Sequence, residues 1–179
     1  MNEATIGRLL VASLHQAIAD LLPTRLEFYE EWLNPAGLRD GRIGLAPLAA
    51  VLSFLRREEK AYQLVSARTG EYAAEWVFAG LSAFPRWVVR RTCRTSWANV
   101  RWRKGRGTVR LRGSIFCGVR DVVEEPLCEF YAVVIRRLML LSSLAVEVET
   151  ERCRGTGGED CLMHVSVRPA DAAGDEDVL

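Results

Sequence analysis

Residues 124–169 read EEPLCEFYAVVIRRLMLLSSLAVEVETERCRGTGGEDCLMHVSVRP, and the fold turns on how this stretch is divided. It separates into a long apolar helix with Cys128 in its first turn, a strand ending at Cys153, a turn with three glycines, and a strand opening at Cys161. Pro126 suits the first helical position, where its missing N–H costs nothing, and Glu124 and Glu125 suit the positive end of the helix dipole. The same dipole favours the thiolate form of a cysteine in that first turn. Between Phe130 and Leu141 only Arg136 and Arg137 are charged. A helix apolar nearly all round needs cover on more than one side, and this one is too short to span a membrane. It is expected between a sheet and further helices or a second subunit.

The run Val146–Cys153 alternates with period two. Val146, Val148, Thr150 and Arg152 are expected on one face, with Glu147, Glu149, Glu151 and Cys153 on the other. That places Glu151 on the side of Cys153. RGTGGED reads as a hairpin loop returning into Cys161–Val167, which brings Cys153 and Cys161 together at the hairpin mouth.

Upstream, Ile6, Leu9, Leu10, Leu14, Ala17, Ile18 and Leu21 recur at helical spacing, and Pro23 ends that helix. A short amphipathic helix follows through Leu33, then a loop marked by Asn34, Pro35, Gly37, Asp40 and Gly41. A second long helix is expected from Ala46. A third is expected from Tyr62 to Leu81, where SARTGEYAAEW is rich in small residues that allow close helix packing. A further short helix is expected over Arg86–Thr95. Residues 98–117 then switch to period two, Val100 and Trp102 against Arg101 and Arg103, and Val109 and Leu111 against Arg110 and Arg112. With Lys104–Gly107 as its turn, this is a hairpin with one apolar and one basic face. Helices, hairpin, helix, hairpin predict an α+β fold, an antiparallel sheet of two hairpins packed with helices.

The 179 residues are 49% hydrophobic and 26% charged with net charge +1, which fits one domain over residues 1–168. The small, acidic residues 169–179 are expected to be a disordered tail. No leader-like or membrane-spanning run is visible, and five cysteines without dense spacing fit a reducing compartment, so a cytoplasmic protein is expected.

PLCEFYAVVIRRLM, VEVETERC and GTGGEDCLMHV, in that order, together with SARTGEYAAEW, resemble the 4-vinyl reductase domain family, a branch of the superfamily of TRAPP vesicle-tethering subunits. The resemblance covers roughly Gly7 to Val167 and is most specific in the last third. It implies an α+β domain, commonly dimeric, with an interior cavity for small apolar molecules. Members occur as sensory domains of aromatic-responsive activators and in bacteriochlorophyll synthesis. In the sensors, zinc is held by three cysteines and one glutamate, which implies Cys128, Cys153, Cys161 and Glu151 here, with Glu149 in reserve. Such a site is closed and structural. Against it, cysteine is among the most buried residues for reasons of packing alone. Cys117 is an alternative ligand, and Cys93 reads as packing. His15 and His164 fall in the wrong elements to match the histidine that contacts phenols.

An apolar pocket would draw on Tyr72, Trp76, Phe84, Trp102 and Phe130, with Tyr131, Gly70 and Ala74 at its border. Each alone reads equally as a core aromatic. From Arg86 to Arg112 there are ten basic residues and no acid. Arg101, Arg103, Lys104, Arg110 and Arg112 form a patch on the hairpin. It reads as a solvated face guarding an edge strand, or as a docking surface for an acidic partner or an anionic membrane. Inward-facing Trp102 and the near-neutral total charge argue against nucleic acid. No phosphate loop or nucleophile set is visible. The expected function is a non-enzymatic, homodimeric sensor or carrier module for a small hydrophobic or aromatic ligand, with a structural zinc. The alternatives are an enzyme or accessory of tetrapyrrole metabolism and a TRAPP-like docking adaptor.

Overall fold

The structure is a computed structural model, and it describes residues 3–33, 45–57, 59–80, 93–94, 98–118 and 122–168. Helices α1 (Glu3–Leu21), α2 (Leu26–Leu33), α3 (Leu45–Arg56) and α4 (Glu59–Gly80) precede strands β1 (Cys93–Arg94), β2 (Ala98–Arg103) and β3 (Arg106–Leu111). Then follow α5 (Glu129–Leu141), β4 (Val146–Arg152) and β5 (Cys161–Val167). The five strands form one sheet in the order β1-β2-β3-β5-β4, antiparallel throughout. The α+β reading holds, and the two expected hairpins are joined by the pairing of β3 with β5.

α1 buries Val11, Leu14, Ala17 and Ile18 completely. It packs on α4, and α4 packs on α5, which touches β4 on its other side. The apolar helix is thus covered from two directions, as its composition requires. At Gly70 α4 and α5 approach closely: a Cβ there would lie 2.7 Å from the Phe130 carbonyl oxygen and 3.1 Å from Val133 Cβ. Arg137 fixes the same crossing by donating two hydrogen bonds to Glu75.

Four sequence expectations change. α5 begins at Glu129 with Cys128 as its N-cap, so Pro126 lies ahead of the helix. The first hairpin turns on two residues, Lys104 and Gly105, both at positive φ (49° and 75°); this matches the strand twist, and Arg106 and Gly107 belong to β3. Cys93 and Arg94 pair with Val100 and Asn99 as a strand, not as the end of a helix. The rest of that expected helix, the loop from Asn34 to Gly41, Phe84 and the 169–179 tail lie outside the described residues.

The fourth change decides the site. β4 carries a bulge: Thr150 pairs with Met163 but Arg152 pairs with Leu162, so Glu151 is one residue in excess. An extra residue reverses the phase of the alternation. Cys153 is therefore buried on the core side, whereas Glu147, Glu149 and Glu151 stay exposed on the outer face. Among the described residues no helix is long and apolar enough to cross a membrane.

Replacing Gly70 by alanine is expected to lower stability by about 1–3 kcal/mol, since the added methyl meets backbone that cannot yield. Gly7→Ala, on α1 where a Cβ would meet nothing within 4 Å, is expected to raise it by about 0.5–1 kcal/mol. Urea denaturation monitored by circular dichroism checks both signs.

Candidate metal centre

Four segments end at one point. Cys117 lies in the loop leaving β3, Cys128 caps α5, Cys153 directly follows β4 and Cys161 opens β5. All four side chains are buried, and their sulfur atoms lie within 4.8 Å of one another. The sulfurs of Cys117 and Cys128 are 3.5 Å apart. A tetrahedron of metal–thiolate bonds of about 2.3 Å would set its sulfurs roughly 3.8 Å apart. The observed spacing is of that size, and it is too wide for a disulfide, whose sulfurs are about 2.05 Å apart.

The surrounding backbone supplies donors suited to anionic sulfur. Leu127 and Gly155 each donate an N–H to Cys153 Sγ at 3.3 Å, and Arg154 donates to Cys161 Sγ at 3.4 Å. Contacts with Cys117, Cys128 and Cys161, followed by the Leu127 N–H, hold the Cys153 thiol far below its ordinary range. Cys161 is lowered as well, first by Cys117 and Cys128. Cys128 moves the opposite way: its contacts with Cys117, Cys153 and Cys161, then burial, push it up. Crowding by other thiols thus overrides the helix dipole that position alone would favour. Without a cation, four such groups cannot all ionise in one buried space; a divalent ion allows it.

Cys117 is positioned from two directions. Ser114 Oγ accepts the Cys117 N–H at 3.1 Å, and the buried Tyr62 hydroxyl of α4 donates to the Phe116 carbonyl at 2.7 Å. Phe116 stacks on Phe130 of α5, with ring centroids 4.1 Å apart. Burial raises the Tyr62 and Tyr131 phenols, and both stay neutral.

Cys128, Cys153 and Cys161 meet, but Glu151 is absent from the cluster. Its carboxylate stays on the outer face with Glu147 and Glu149, half exposed and hydrogen-bonded with His164, while the bulge carries Cys153 inward. That hydrogen bond, first among the causes, lowers the Glu151 carboxyl. Glu149 is exposed on the same outer face, and Cys117 supplies the fourth sulfur.

The five proposed ligand aromatics separate. Trp102 lies on the inner face flat against Gly107, where an added Cβ would sit 2.2 Å from the indole. Phe130 is buried in the core. Tyr72 donates to Asp20 and tilts against Trp76, which is 38% exposed. Phe84 is outside the described residues. Tyr131 is half-buried beside Phe130, Ala74 is buried, and Gly70 is taken up by the α4–α5 crossing. The sequence reading missed an open cleft of about 370 Å³ lined by Thr24, Arg25, Phe28, Tyr29, Phe54 and Arg57. Apolar spacing on α2 and α3 carries no sign that Phe28 and Phe54 stay partly exposed. Of the basic patch, Arg101, Arg103, Lys104, Arg110 and Arg112 are all exposed, and Arg110 pairs with Asp160 at 3.1 Å.

No family model matches the chain, and no curated protein matches it. Solved structures do. An H-NOX protein from S. oneidensis in the Fe(II)NO ligation state aligns with a TM-score of 0.60 at 10% identity, over 90% of this chain and 99% of its own. The phenol-responsive sensory domain of the transcription activator PoxR, with phenol, aligns at 0.48 and 14% identity over 70% and 75%. A trafficking protein particle complex subunit 3 from Naegleria fowleri, covalently bound to palmitic acid, aligns at 0.44 and 15% over 89% and 96%. The H-NOX alignment shows that this chain shares that fold.

Tyr62→Phe is expected to cost about 1–2 kcal/mol by leaving the buried Phe116 carbonyl without a donor. It should also raise the rate at which Cys117 reacts with a thiol reagent in metal-free, reduced protein, relative to the other buried thiols.

Proposed function

We propose that this chain is a non-enzymatic, homodimeric ligand-binding module of sensor or carrier type, of the 4-vinyl reductase domain kind. In this reading Cys117, Cys128, Cys153 and Cys161 hold a structural zinc and the ligand is small and apolar. The observation that carries it is the buried four-thiol cluster, set in a fold shared with H-NOX proteins that are described in Fe(II) and Fe(II)NO states.

The donor set narrows the choice of metal to those that thiolates hold. The chain has two histidines: His15 pairs with Glu30, and His164 with Glu151, both at the surface. Neither presents an imidazole to the interior, so an iron centre held by histidine does not fit these residues. Four thiolates in tetrahedral spacing suit zinc, with every position filled by protein and none open for catalysis. The metal would therefore join the loop after β3, α5 and the second hairpin. In this reading Trp102, partly buried against the core, and Phe130, buried in it, are the aromatics assigned to an apolar ligand.

Native mass spectrometry of the purified chain under reducing, anaerobic conditions tests the whole reading. About one zinc per chain is expected, together with a dimer and a retained apolar molecule. Cys117→Ser and Cys128→Ser should lose the zinc, while Glu151→Gln keeps it. A chain that takes up no zinc on reconstitution, or loses it equally in Glu151→Gln, overturns the four-sulfur site. A retained porphyrin-type chromophore would transfer the protein to tetrapyrrole metabolism.

A further inference from the structure

The outer face of the sheet is divided by charge along its strands. Register alignment gives three rows across it: Asn99, Arg110, Leu162, Arg152, whose two arginines pair with Asp160, and two rows with opposite charges at their ends. One runs Arg103, Arg106, Ser166, Glu147; the next runs Arg101, Thr108, His164, Glu149. Each of these two rows starts with arginine on β2 and ends with glutamate on β4, three strand spacings or roughly 14 Å away. All of these arginines and glutamates are exposed. Arg101, Arg103 and Glu149 form no ion pair among the described residues. Glu147 pairs with Arg168 at 2.8 Å, but both partners are more than half exposed, and such pairs hold weakly.

We propose that this face binds the same face of a second copy of the chain, the arginine strand of each lying over the glutamate strand of the other. It deepens the dimer reading above by naming the surface, and it rests on that reading. Symmetry supports it. A two-fold axis parallel to the strands, running between the stacked sheets, inverts strand order while keeping position along the strand. β2 then lies over the partner's β4, so Arg103 comes over a glutamate at 147 and Arg101 over one at 149. Stacked sheets sit about 10 Å apart, a gap that an arginine and a glutamate can close from opposite sides. The contact is isologous, so each charged pair forms twice. The glutamate row argues against a polynucleotide on this face, because it would repel the phosphates next to those the arginines attract.

Charge exchange tests it on the full chain. Sedimentation equilibrium should show a wild-type dimer that weakens as salt rises from about 50 mM to about 0.5 M. Arg101→Glu/Arg103→Glu and Glu147→Lys/Glu149→Lys should each raise the dissociation constant by about tenfold or more. An equimolar mixture of the two variants should restore a dimer, because both strand pairs are again of opposite sign. That restoration also shows that the variants are folded. Wild-type dimerisation in either variant alone places the interface elsewhere and overturns the proposal while leaving the dimer intact. A mixture that stays monomeric overturns the pairing. A monomeric wild type overturns this proposal and the dimer with it, whereas unchanged zinc content leaves the metal reading standing.

Discussion

Four sulfur atoms share a buried volume in which they cannot all carry charge without a cation, and much of the C-terminal half is arranged around that conflict. The backbone N–H groups of Leu127, Gly155 and Arg154 point at two of them. Tyr62, Ser114 and the Phe116–Phe130 stack hold the third and fourth segments in place. A metal there would cross-link positions 117, 128, 153 and 161. It would remove chain entropy from the unfolded state in the way any clip across long loops does. The elements so tied are the loop leaving the first hairpin, the helix packed on the sheet, and both strands of the second hairpin. Loss of the ion would therefore loosen that end of the sheet as a unit, while the α1–α4 packing, built on Leu14, Ile18 and Val65, keeps its own core.

The sequence was most informative where a period repeats. The helices, the two hairpins and the antiparallel sheet follow from spacing at 3.6 and 2, and the small residues of α4 announce the close crossing realised at Gly70. It was misleading at single residues that break a period. One bulge at Glu151 reverses the faces beyond it, and nothing in VEVETERC marks it. Cys117 sits in a loop, where no periodicity assigns a direction, so it ranked as an alternative although it is as buried as its partners. The Lys104–Gly105 turn shows the same limit: four candidate turn residues were visible, and the strand twist selected two of them.

The H-NOX likeness at 10% identity marks what a fold can and cannot carry. Layering α5 between a sheet and α4 needs only apolar patterning and a few small residues, so very different sequences satisfy it. The chemistry is set by which side chains the layers gather. This chain pairs both of its histidines with glutamates away from the cysteine cluster and gathers four thiols instead. The shared backbone therefore accounts for the layering alone, and the donor atoms that this chain gathers in it are thiols rather than imidazoles.

The bulge in β4 links the two halves of this account. In a regular strand Glu151 and Cys153 would share a face, and turning Cys153 inward would draw Glu151 in with it. A carboxylate beside four thiols would add a further buried negative charge to a site already rich in them, which a single divalent ion could not balance. The extra residue separates the two requirements: Cys153 reaches the core, and Glu151 joins Glu147 and Glu149 on the outer face. The same irregularity thus completes the sulfur cluster and keeps the acidic row of β4 unbroken, giving the sheet one face suited to a soft cation and another suited to opposite charge.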